Sequence, residues 1–169
     1  MLSDIQLLQI KNAIKRVLYV PGNYTGGILE MAIVADYAIP KEELAENINQ
    51  IANALKRQDE TFRNVRLNLI KWVSDRCIIK EVSSLTVLQM GRGLEEYEKY
   101  ADLEEKSEKT VDELFRQLKL FYARSKVILV ITGGDYKIAE ESAVKACLQP
   151  FLGRKMVFVK KGNAEKFSI

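Results

Sequence analysis

Acidic side chains are the only groups in this chain placed where chemistry could be done. Histidine, the usual partner of such acids, is absent from all 169 residues. Its absence removes the commonest general base and the commonest transition-metal ligand together, so Ser-His-Asp and Cys-His catalysis are excluded. Two cysteines, Cys77 and Cys147, lie far apart and form no ligand spacing, so a zinc site would need carboxylates to complete its tetrahedron. Both cysteines are expected to be buried small hydrophobes.

Two aspartates stand out by position. Asp36 ends the apolar run Ile28-Leu-Glu-Met-Ala-Ile-Val-Ala35, and Pro40 soon opens an amphipathic stretch, the pattern of a buried strand feeding a helix. Asp135 follows Val127-Ile-Leu-Val-Ile131 and Thr132-Gly133-Gly134, a second strand and its carboxyl-end loop, expected to lie beside Asp36. Ligands of open α/β sheets bind at that rim. A glycosidase-like pair of carboxylates is conceivable, but two isolated acids on different loops do not make one, and no enzyme is expected. Asp36 is expected to cap loop backbone or the N–H groups of the next helix. A nucleotide site at Thr132-Gly133-Gly134 would lack G-x-G-x-x-G, and Asp135 sets negative charge where phosphate would come.

The elements that must position these residues follow from periodicity. Leu7, Ile10, Ile14, Val17 and Leu18 share one face of a leading helix over residues 3–18. Leu44, Ile48, Ile51, Ala52 and Leu55 stripe a second helix running from Pro40 to about Lys56. Val65–Val73 and Cys77–Val82 read as a hairpin at one edge, and Leu94–Lys109 as a solvated, charged helix and loop. Val111, Leu114, Phe115, Leu118 and Tyr122 stripe a further helix, Tyr136–Leu152 reads as another, and Met156–Val159 as a last strand. Residues 160–169 read as a polar tail. The order predicts one α/β domain over 1–169: an open, doubly wound, mainly parallel, Rossmann-like sheet with helices on both faces and one antiparallel edge strand.

Composition fits that reading, with 47% hydrophobic and 29% charged residues and a net charge of +3. So small a charge does not predict a nucleic-acid partner, and Lys155, Lys160, Lys161 and Lys166 are expected only to solvate a strand end. The start, Met1–Gln6, carries an acid where a signal peptide would be basic, and no apolar run is long enough to span a bilayer, so a cytoplasmic protein without membrane association is expected.

From about Ile28 to Val159 the chain resembles the von Willebrand factor A domain, within it the bacterial tellurium-resistance-associated branch. The likeness rests on Asp36 at the end of the first strand, on Glu60-Thr61 through Asp75, and on Lys126-Val-Ile-Leu-Val-Ile-Thr-Gly-Gly134. The resemblance implies a protein-interaction module with a metal-ion-dependent adhesion site built from Asp-x-Ser-x-Ser, a threonine and a second aspartate. Here the first motif reads Asp36-Tyr37-Ala38-Ile39-Pro40, Gly91-Arg92-Gly93-Leu94 offers no threonine, and the third position is Gly133, with Asp135 displaced by two. One matching carboxylate cannot supply the oxygen ligands magnesium needs, so a degenerate site without metal or cofactor is expected. Arg92 could replace the cation with a fixed guanidinium if its loop approaches Asp36; otherwise it is a surface arginine. The expected binding rim is Asp36, Tyr37, Arg92, Gly134, Asp135 and Tyr136, with Tyr37 and Tyr136 exposed and a second protein as partner. The alternative is a regulator binding a nucleotide or small molecule at the same rim. The leading helix is expected to cover the sheet beside Ile28–Ala35, as the family's final helix would, or to exchange with a second copy in a homodimer.

Overall fold

Successive residues of a strand face opposite sides, and β1 (Leu29–Asp36) buries both of them. Met31, Ile33 and Ala35 enter one apolar cluster, while Ala32 and Val34 enter another. A strand apolar on both faces needs a cover on each side, and its neighbours supply the sheet between them. In this computed structural model, which describes residues 1–58, 60–100, 109–151 and 155–167, β2 is Val65–Ser74, β3 Cys77–Ser83, β4 Val127–Thr132, β5 Met156–Lys160 and β6 Asn163–Glu165. Their order across the sheet is β3-β2-β1-β4-β5-β6. β1 runs parallel to β2 and β4, and β4 parallel to β5; β3 and β6 form antiparallel edges.

One cover consists of α1 (Asp4–Leu18), α2 (Lys41–Gln58) and the short α3 (Leu85–Gln89), whose apolar stripes join Met31, Ile33, Leu129 and Val157. The other cover is α4 (Val111–Tyr122) with α5 (Glu141–Leu148), meeting Ile70, Trp72, Val130 and Phe158. Ser3 caps α1 through a reciprocal capping box with Gln6, and Thr110 caps α4. Among the described residues no helix is long and apolar enough to cross a membrane.

Four expectations change. The polar tail is instead β6, followed by Phe167, whose ring centroid lies 5.0 Å from those of Phe115 and Phe158; residues 168 and 169 lie outside the described residues. The sheet therefore has two antiparallel edges. The helix expected from Tyr136 begins only at Glu141, because the Asp112 carboxylate accepts the N–H groups of Ala139 (2.8 Å) and Glu140 (2.9 Å) and holds that segment extended. Leu152, its expected end, lies outside the described residues. α1 packs on α2, β4, β5 and β6 rather than beside β1 alone. The β5–β6 hairpin draws it there, for a Cβ on Gly162 would come within 2.8 Å of Leu2 and 2.7 Å of Gln6. Finally, Cys77 and Cys147 are free and only half-buried. Of the charged stretch Leu94–Lys109, residues 101–108 lie outside the described residues.

Candidate functional site

Asp36 sits at the carboxyl end of β1 opposite Trp72 of β2, fully buried. A carboxylate so enclosed must be paired and hydrogen-bonded. Its Oδ1 accepts the Ala38 N–H at 2.9 Å and an ion-paired hydrogen bond from Lys109 Nζ. Its Oδ2 accepts the Thr132 hydroxyl at 2.6 Å, and Thr132 Oγ1 in turn accepts the Gly134 N–H at 3.0 Å. The loop after β4 thus lies beside Asp36, as its position in the sequence predicts.

Lys109 is as enclosed as its partner, with 4% of its side chain exposed, and its ammonium also lies 4.5 Å from the centroid of the Trp72 ring. Two elements hold its backbone in place. The Lys109 carbonyl accepts the Lys137 N–H at 2.9 Å, while the Asp75 carboxylate of the β2–β3 turn binds the next residue, accepting the Thr110 N–H (2.8 Å) and hydroxyl (2.9 Å).

The rim expected from sequence divides. Tyr37, expected to be exposed, is 2% exposed. Its ring packs against Tyr97 with centroids 4.7 Å apart, and its hydroxyl has no hydrogen-bond partner among the described residues. Burial, aided by the Glu81 carboxylate, pushes that phenol well above its ordinary ionisation range. Tyr136 is half-buried, 5.8 Å from Trp72 between ring centroids; burial, with Glu165 and Asp36 nearby, raises its phenol too. Asp135 and Arg92 are exposed and Gly134 is half-buried. Among the described residues Asp36's partners are Lys109, Thr132 and Ala38, so the fixed cation envisaged for Arg92 is carried by Lys109. The chain matches no protein-family model, no curated protein and no solved structure.

Chemically, this centre is closed. A general base needs an open path to a substrate proton, whereas both Asp36 oxygens are engaged and buried. A divalent cation does not fit either. Ala38 and Pro40, two and four residues beyond Asp36, offer no hydroxyl, and an ammonium already stands on the carboxylate. Among the described residues no group of three or more acidic or cysteine side chains could hold a metal. Sequence reasoning missed Lys109 altogether and treated Thr132 as loop. Lys109 directly precedes a capping threonine and an amphipathic helix, a signal for its backbone position but not for its partner.

Proposed function

We propose that the chain is a non-catalytic protein-interaction module of von Willebrand factor A type, in which a lysine has taken the place of the adhesion-site metal. The observation that carries this reading is the Lys109 ammonium on the Asp36 carboxylate, closed over by Thr132. Metal-dependent adhesion uses a cation that the solvent supplies; here the chain supplies the charge itself. The antiparallel strand β3 beside β2 and the aspartate ending β1 support the family reading. So does the strand order, in which the chain leaves β1 for β2 on one side and continues from β4 to β5 on the other, the order that a doubly wound course would give. On this reading the partner is another protein, bound without metal or cofactor at the exposed part of the rim, Arg92, Asp135 and the free edge of Tyr136, and the compartment is the cytoplasm.

Two measurements test it. Titration calorimetry with magnesium and manganese should show no saturable binding that Asp36→Asn abolishes; such binding would overturn the reading. Cross-linking from Asp135→Cys in native lysate should capture the same protein with or without chelator, and Arg92→Glu should reduce the yield. Capture that requires divalent cation, or that is indifferent to Arg92, would place recognition elsewhere.

A further inference from the structure

Asp36 and Thr132 project toward the α4 side of the sheet's carboxyl edge. On the opposite side, beneath α2, a cavity of about 280 Å³ opens between the start of α2, the loop after β4 and the β5–β6 hairpin. β1 and β4 are neighbours here, and the chain leaves them in opposite directions, toward β2 and toward β5. Loops that diverge at such a point leave a crevice, where open α/β sheets bind ligands.

Asn47 makes the cavity more than a gap in packing. It stands on the apolar stripe of α2 with Leu44, Ile48 and Ile51, is only 7% exposed, and lines the cavity. Its Oδ1 is buried with no hydrogen-bond donor among the described residues. An amide oxygen withdrawn from water without a donor destabilises the fold, so packing alone would favour an apolar residue at this position. Glu43, one turn earlier on the same helix face, and Asp135 also line the cavity. Asp135 Oδ2 lies beside Gly133, 3.8 Å from where a Cβ would stand, in ordinary van der Waals range. The cation of the lining is Lys161, held by the tight hairpin with φ of 51° while its N–H binds the Thr132 carbonyl at 3.0 Å.

Three acceptors therefore meet one cation. A phosphate would be repelled by Glu43 and Asp135, whereas an ammonium complements them together with the orphaned Asn47 oxygen, leaving Lys161 for an acidic group. The volume lies just below the range of drug-sized pockets, which points to something smaller. We propose that this cavity binds an amino-acid-sized zwitterion, its ammonium among Asn47 Oδ1, Glu43 and Asp135 and its carboxylate toward Lys161. Asp135 belongs both to this cavity and to the proposed protein-binding rim, whereas Asn47 lines only the cavity, so substitution of Asn47 tests this site apart from the protein-binding reading.

The test is a titration of the intact ¹⁵N-labelled protein with individual amino acids at millimolar concentration, with ethylamine and acetate as the two halves of the ligand. At least one amino acid should give saturable shifts at Asn47, Gly133 and Lys161, and neither half should match it. Asn47→Leu should weaken that binding about tenfold or more, the loss expected of one hydrogen bond to a charged group, while leaving the ligand-free melting temperature equal or higher. Absence of saturable shifts from every amino acid, unchanged affinity in Asn47→Leu, or a lowered ligand-free melting temperature in that variant would each overturn the proposal.

Discussion

An ion pair shut away from water is held less by attraction than by the penalty of leaving either charge alone. Lys109→Met should therefore destabilise the fold by about 3–5 kcal/mol in denaturant titrations, through the bare Asp36 carboxylate it leaves behind. Asp36→Asn combined with Lys109→Met should recover much of that loss; additive single losses would show that the two residues act separately. Tyr37 gives a prediction in pH. An unfolded tyrosine ionises near pH 10, while the folded phenol is raised by burial. Below about pH 10 both states are protonated, and above it only the unfolded state readily loses the proton, so stability falls as pH rises. Tyr37→Phe should flatten that fall and cost little at neutral pH, since the hydroxyl has no partner to lose among the described residues; an equally steep alkaline decline in the variant would assign it to other groups. Asp36 could be picked out from the apolar run it ends, a local signal. Lys109 could not, because its partner lies 73 residues away and its own neighbours are charged residues of the kind that solvate a surface.

Elements buried on both faces announced themselves, whereas those fixed by tertiary contacts did not. β1 and β4 read as strands because nearly every residue is apolar. β6 is three residues, Asn163–Glu165, too short and too polar to show a period of two. The late start of α5 is set by Asp112, a residue on another helix. The site cavity was hidden for the same reason: Asn47 looks like an ordinary polar position until α2 is laid against the sheet. At the β5–β6 hairpin, Gly162 has φ of 84° and its α-hydrogen faces the first turn of α1. Gly162→Ala should cost about 2 kcal/mol from the left-handed conformation and the displaced turn together, measured by thermal or chemical unfolding. A neutral substitution would mean that α1 yields easily. Ser3→Ala, which removes the capping box at the same end, should cost about 1 kcal/mol.

Across the whole molecule, α1 packs on α2 and on β4, β5 and β6, strands that come late in the chain. Leu2 meets Gly162, and Gln6 Nε2 reaches Asn163 Oδ1 at 3.4 Å. The loop that carries α1 into β1, by contrast, passes through Gly26 and Gly27, both at positive φ with open space around them. Order along the chain and order in space can therefore be exchanged. A circular permutant that begins at Gly27, joins Phe167 to Leu2 through about ten glycine and serine residues, and ends at Gly26 would keep every strand pairing and place α1 last instead of first. A linker of that length spans about 17 Å on average, and lengthening it further adds little closure entropy. Such a permutant should melt cooperatively close to the parent, as circular dichroism would record. One opened between Asp75 and Arg76, beside the carboxylate that holds Thr110 and through it Lys109, should melt distinctly lower. If both rearranged chains behaved alike, covalent continuity from α1 into β1 would matter no less than the anchoring of the buried lysine. If only the first survived, the covalent link from α1 into β1 would matter less to the fold than the hold of Asp75 on Thr110.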